Sequence, residues 1–125
     1  MDLPTDLKYS DKHIWARADG KRVTLGITAY AAEEMGDIIY LELPEVGTQL
    51  EAGQTFGSVE SAKAIEDLVA PIDGKVVARN GDAVDAPETV TEEPYGKGWL
   101  VVVEAGDPSQ LDGLLSAADY EAQLG

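Results

Sequence analysis

Repeated punctuation in the middle of the chain narrows the possible folds more than any other feature. Pro44-Glu45-Val46-Gly47 leads into an apolar-alternating run that ends at Gly53, and Pro71-Ile72-Asp73-Gly74 leads into a similar run that ends at Gly81. Alternation between proline and glycine breakers reads as short β-strands. Two like β-units thus follow one another, and Lys63 lies almost midway between Gly53 and Gly74. This predicts a mainly β fold of two antiparallel sheets packed as a pseudo-twofold sandwich, with one lysine at the tip of a central hairpin.

The hairpin itself is written locally. Thr55-Phe56-Gly57-Ser58-Val59 has strand character, which resumes from Ile65 to Ala70 before Pro71 and Gly74 break it. Ala62 and Ala64 leave the Lys63 amine unobstructed, and Glu60 and Ser61 are polar handles by which a modifying enzyme could grip the turn. A lone lysine in a turn is usually a solvated side chain and nothing more. Its place at the centre of the repeat marks this one out.

Around that centre the chain reads as follows. Residues Met1 to Gly20 form a lead-in with one short strand, His13 to Arg17, in which His13 and Trp15 share a face and Trp15 is buried. Arg22 to Ile27 alternates as a strand; Thr28 then caps a short helix over Ala29 to Met35, which Gly36 stops and whose Ala31 and Met35 face the core. Ile38 to Leu43 is a further strand. Asn80-Gly81 marks a tight turn, Ala83 to Glu93 lacks a period and reads as a surface loop, and Trp99 to Val103 reads as a buried strand. Asp107 and Pro108 start a helix whose Leu111, Leu114 and Leu115 form one apolar face. Ser116 with Asp119 resembles a capping box for a last turn bearing Tyr120 and Leu124.

Charge and composition bound the function. One domain spanning residues 1–125 is expected, burying roughly two thirds of its unfolded surface. Acidic residues outnumber basic ones 24 to 9, a net charge of −15, which argues against nucleic acid or an anionic membrane as partner and favours partners with basic sockets. No apolar run approaches the roughly 20 residues of a membrane span. The polar start from Met1 to Asp6 is unlike a signal peptide, so a cytoplasmic protein is expected. With no cysteine and a single histidine, His13, the chain offers neither a disulfide nor a Cys/His metal site. Any redox sulfur must come from a prosthetic group. Nothing pairs a nucleophile with a base, and the glycines sit where turns need them, so the chain reads as a carrier or binding module and not an enzyme.

Several separate motifs then agree with one family. Glu60-Ser61-Ala62-Lys63-Ala64, Gly74 eleven residues after the lysine, and Pro94-Tyr95-Gly96-Lys97-Gly98-Trp99 together resemble the H-protein family of the glycine cleavage system. Val23 to Thr28 and Leu41 to Gly47 share the likeness, which runs from Leu7 to Tyr120. The resemblance implies a lipoyl/biotinyl-type barrel-sandwich with a short internal helix and C-terminal helices. It also implies lipoic acid joined by an amide to Lys63, with Glu60, Ser61, Asp67 and Gly74 as further cofactor-site residues. The implied partners are a pyridoxal-phosphate glycine decarboxylase, a tetrahydrofolate-dependent aminomethyltransferase, a flavin dihydrolipoyl dehydrogenase, and a lipoate ligase or lipoyl transferase. Biotin carriers share the hairpin-lysine plan but set methionine on both sides of the lysine, where this chain has alanine.

The chain also departs from the family at three places. Ile14 stands between His13 and Trp15 where glutamate is usual, Glu34 stands where histidine is common near the helix end, and Thr91 replaces an asparagine. Acidic groups near the arm are thought to hold the aminomethyl ammonium, so a second reading follows: an H-like lipoate-binding protein that carries sulfur intermediates for a heterodisulfide-reductase-like complex. A non-lipoylated interaction module is the third.

Overall fold

The structure, a computed structural model, describes residues 3–124; the first two residues of the polar start, Met1 and Asp2, lie outside the described residues. Among the described residues nine strands form two sheets: β1 (Lys8–Tyr9), β2 (Ile14–Asp19), β3 (Arg22–Ile27), β4 (Ile38–Glu42), β5 (Gln49–Leu50), β6 (Thr55–Ser61), β7 (Ile65–Val69), β8 (Gly74–Arg79) and β9 (Val101–Ala105). The larger sheet runs β1-β2-β3-β9-β8-β5 and the smaller β4-β6-β7, with every neighbouring pair antiparallel. The two punctuated units of the sequence meet in the larger sheet, where Leu50 of the first pairs with Gly74 of the second.

Alternation explains the interior. Val23, Leu25 and Ile27 of β3, Val101 and Val103 of β9 and Val76 of β8 join Leu41, Val59 and Leu68 of the smaller sheet in one buried cluster. The first half of β2 is covered on both faces. Its Ile14 and Ala16 belong to this cluster, whereas Trp15 turns the other way into a second one with Leu7, Tyr9, Ala117 and Tyr120. Trp15 lies opposite Gly26, and a methyl there would come within 2.5 Å of the indole. Glycine at that position leaves room for the ring.

Helix α1 (Ala29–Met35) has the boundaries expected. The Thr28 hydroxyl accepts from Ala31 N, and Gly36, at φ 75° and ψ −149°, ends the helix in backbone space that is essentially glycine's. Its buried residues are Ala32 and Met35, with Ala31 half-buried. At the C-terminus a 3₁₀ helix over Pro108–Gly113 is capped by Asp107, and Leu111 and Leu114 pack on the main core. The last helix begins after Ser116, whose hydroxyl accepts from Asp119 N.

Elsewhere the sequence reading is corrected. Lys8–Tyr9 is an additional strand, and His13 is not in a strand at all, because its φ of 68° puts it in a left-handed turn just before β2. His13 and Trp15 therefore share no strand face. Asn80 is a helix cap and not a hairpin turn: its Oδ1 accepts from Ala83 N while its Nδ2 donates to Lys97 O and Trp99 O. The supposed loop over 83–93 contains α2 (Gly81–Asp85) and α3 (Glu88–Glu92), which bury Ala83 and Val90. Five-residue helices are too short to show a period in sequence. Strand β9 starts two residues later than expected, since Trp99 N still closes the preceding turn on Gly96 O. The final helix, over Ala117–Leu124, is labelled α4.

Candidate functional site

Strands β6 and β7 form the expected hairpin, with Ala62, Lys63 and Ala64 beyond their paired ends. Ser61 makes the turn. Its hydroxyl accepts from Lys63 N (3.3 Å) and Ala64 N (3.2 Å), and its own N–H donates to Ala64 O at 2.8 Å. The expectation that Ser61 is a handle for another protein is therefore corrected: its side chain is buried and already engaged in shaping the turn. Lys63 is exposed, as expected. Its aliphatic stem lies along the end of α1, where a Cβ on Gly36 would sit 3.7 Å from Lys63 Cε and 4.0 Å from Nζ.

Beside the end of α1 opens a cleft of about 210 Å³. Ile14, Ile27, Met35, Val59 and Leu68 give it apolar walls, while Glu34 from α1 and Glu66 from β7, on the same side as Val59 opposite it, add carboxylates; Asp67, the next residue of β7, also borders it. Sequence reasoning singled out Ile14, Glu34 and Asp67 separately; the fold brings them to one place. Glu66, Tyr30 and Lys12 also line the cleft and were missed. The alternation of β7 next to an outward Asp67 points Glu66 to the other face and was the only available signal for it.

His13 lines the cleft and is hydrogen-bonded, as its sequence context suggested. Its Nδ1 lies 2.6 Å from the Tyr120 hydroxyl, which is 2.8 Å from Thr28 Oγ1, the cap of α1. Desolvation by burial lowers the His13 pKa below the ordinary 6.5, against the opposing pull of Glu66, Asp11 and Glu34 and with the help of Lys12. Burial likewise raises the Tyr120 pKa, partly offset by its bond with Thr28. A neutral imidazole and a neutral phenol thus brace the helix from behind.

The Pro94–Trp99 motif braces it from a second side. The Tyr95 hydroxyl accepts from Ala29 N in the first turn of α1, Trp15 Nε1 donates to Pro94 O at 2.9 Å, and Arg17 donates to Tyr95 O. Thr91, one of the three departures, does not line the cleft; its hydroxyl accepts from Ile38 N at the start of β4.

Two expected site residues take different places. Glu60 is half-buried on β6, between Tyr40 and Ile65 of the flanking strands. Gly74 belongs to the larger sheet, and its backbone is not left-handed, so no turn conformation calls for glycine there. A Cβ there would approach Glu104 O at 2.8 Å and the Val103 side chain at 3.2 Å. Close packing is what demands glycine. Gly74→Ala is therefore expected to destabilise the protein by about 1–3 kcal/mol in urea unfolding, while folded variant accepts modification at the wild-type rate. A slowed modification of fully folded variant would restore Gly74 to the site.

Comparison with known proteins fits this geometry. The family described as Glycine cleavage H-protein matches residues 7–125. The chain belongs to that family. Among its H-protein relatives, the glycine cleavage system H protein of Staphylococcus haemolyticus (strain JCSC1435) is 52% identical over 125 residues, covering 100% of this chain and 99% of the relative. That of Anoxybacillus flavithermus (strain DSM 21510 / WK1) is 51% identical over 124 residues, covering 99% and 98%. The crystal structure of a glycine cleavage system H protein from Mycobacterium marinum superposes with a TM-score of 0.88 at 40% identity, covering 98% of this chain and 99% of that one. The two-sheet architecture with its short helices is thus an H-protein fold.

Proposed function

We propose that this chain is the lipoyl-bearing carrier of glycine cleavage, a single domain working in the cytoplasm, with Lys63 as the attachment site. The observation that carries the reading is the exposed lysine at a hairpin tip, its stem lying against Gly36 at the end of α1, next to a cleft that combines apolar walls with two carboxylates. The residues present fit the group. Ile14, Ile27, Met35, Val59 and Leu68 suit a hydrocarbon arm, and Glu34 and Glu66 suit a cationic amine at its end. When attached, lipoate supplies a dithiolane that alternates between dithiol and disulfide and carries the aminomethyl group left when glycine is decarboxylated.

The chain's own part is positioning. Lys63 contributes the attachment amide, which removes its ammonium charge, and the paired strands hold that amide at a fixed point. The cleft's apolar walls keep water from the cargo, while its carboxylates attract the amine. A pyridoxal-phosphate glycine decarboxylase loads the carrier, a tetrahydrofolate-dependent aminomethyltransferase unloads it and releases ammonia, and dihydrolipoyl dehydrogenase reoxidises the dithiol.

The two carboxylates of the cleft also weigh against sulfur cargo. Oxidised or persulfidic sulfur is anionic or neutral and gains nothing from Glu34 and Glu66. Ile14 removes one expected carboxylate, and Glu34 supplies another to the same cleft.

The test is exchange of the glycine carboxyl with bicarbonate, catalysed by a glycine decarboxylase with the lipoylated protein. Wild-type protein is expected to support it. Glu34→Gln is expected to hasten loss of the amine from the loaded carrier by roughly fivefold at most, since an exposed ion pair contributes up to about 1 kcal/mol. Absence of exchange in the wild type, with exchange gained by Ile14→Glu, would transfer the lead to sulfur cargo.

A further inference from the structure

Four large apolar side chains stand exposed among the described residues: Ile39 (55%), Tyr40 (53%), Val46 (58%) and Ile65 (66%). Two of them, Tyr40 and Ile65, lie on the outer face of the smaller sheet. The pairing of β4 with β6 shifts register between Ile38 and Tyr40, so Ile39 is a bulge residue and both it and Tyr40 reach solvent. Tyr40 lies opposite Glu60, and Glu60 opposite Ile65, so the three share one cross-strand row on the face turned away from Leu41 and Val59 of the core. Glu42 follows two residues along β4 and is exposed on that same side. The row ends two residues from Lys63.

An apolar row of this kind, interrupted and flanked by carboxylates, has the anatomy of a binding surface: a desolvated centre with a charged border. We propose that the outer face of β4-β6-β7, centred on Tyr40, Glu60 and Ile65, is the surface gripped by the enzyme that acylates Lys63, and that this enzyme meets it with an apolar depression bordered by arginine or lysine. The inference rests on the carrier reading. Reach selects the occupant. Before modification Lys63 has only its own short side chain, so an acylating enzyme must bring its active site onto the hairpin and cover the adjoining sheet. Enzymes that act at the end of a completed arm have no such need to cover this face. Charge agrees, because Glu42 and Glu60 on a chain of net charge −15 call for a basic partner.

In the reaction so placed, deprotonated Lys63 Nζ attacks the carbonyl carbon of a lipoyl-adenylate. The amide C–N bond forms, the bond from carbon to the phosphate oxygen breaks, AMP leaves, and the amine's proton passes to solvent. Lipoate and ATP supply the adenylate, so no oxidant or reductant is needed.

The experiment uses full-length unmodified protein with lipoate, ATP and a lipoate ligase, and follows the adduct by intact mass. The double variant Tyr40→Ser/Ile65→Ser is expected to lose roughly tenfold or more in kcat/KM for acylation, as for truncation of central interface residues. Its thermal midpoint should stay near the wild type, because both side chains are more than half exposed. Val46→Ser, equally apolar and exposed but outside the sheet face, should be acylated normally. Glu60→Gln should weaken acylation most at low salt. Loaded to completion with excess ligase, the double variant should serve dihydrolipoyl dehydrogenase at the wild-type rate.

Acylation of the double variant at the wild-type rate overturns the proposal, as does an equal loss in both assays, which would make the face common to all partners. A wild-type dimer that the double variant dissolves would assign the face to a second copy and also overturn it. Wild-type protein that takes no lipoyl overturns the carrier reading together with this one, whereas modified wild type with indifferent variants overturns this one alone.

Discussion

Lys63→Arg is expected to fold normally and to carry no lipoyl adduct, with carrier activity abolished. Arginine keeps the positive charge and most of the stem's length, so contacts of the unmodified side chain with the end of α1 at Gly36 largely survive. What disappears is an amine that can be acylated, since guanidinium stays protonated at any working pH. Intact mass and peptide spectra after incubation with lipoate, ATP and ligase are the readout: one adduct on wild type, none on the variant. The other lysines at 8, 12, 21, 75 and 97 provide an internal control, Lys21 above all, because it too sits in a hairpin turn, between β2 and β3, yet lacks the Glu-Ser-Ala-Lys-Ala setting. An adduct persisting on the arginine variant would move the site elsewhere and take the carrier reading of the hairpin with it.

Trp15→Ala should have the largest effect on stability, about 3–5 kcal/mol. The indole is wholly buried, lies against Gly26, anchors the second apolar cluster, and donates to Pro94 O. Removing it leaves a cavity and a carbonyl without its partner, and small domains have only about 5–15 kcal/mol in hand. The damage should spread toward the site, because Tyr95, next to Pro94, also holds the first turn of α1. Urea unfolding measures the loss; hydrogen exchange should show Ala29 N opening more readily in the variant. A loss below about 1 kcal/mol would mean that the ring is a passenger in its cluster.

These two residues differ in how plainly the sequence announced them. Lys63 was legible because a hairpin is local: two strand-like runs, small residues between them and breakers outside. Strand β3 and helix α1 were legible for the same reason, the helix through Thr28 and Gly36 at its ends. The site around the lysine was less so. His13, Ile27, Glu34, Val59 and Glu66 come from five separate segments, and only the stacking of two sheets brings them around one cleft. Sequence marked Ile14, Glu34 and Asp67 as family positions but not as neighbours.

The misread residues share a physical cause. Asn80-Gly81 suits a tight turn, yet the same Asn side chain can cap a helix, and buried Ala83 and Val90 decide in favour of helices. Gly74 looks like a turn glycine from its neighbours Pro71 and Asp73. Only the Glu104 carbonyl and Val103 across the strand show why a side chain is refused there. Tertiary packing settled each of these positions.

The order of strands in the larger sheet bears on how the protein comes to exist in time. β9 lies between β3 and β8, holding the sheet's middle, although it is the last strand to be synthesised. Until it emerges, β3 and β8 have no common neighbour, and Tyr120, which braces the cap of α1 through Thr28, comes later still. The lysine hairpin, built from residues close in sequence, needs neither. A nascent chain can therefore show its lysine turn early, while the mount that fixes the turn in space is completed only by the closing segment. A molecule truncated before β9 would keep the sequence of the attachment point and lose the centre of the sheet opposite it.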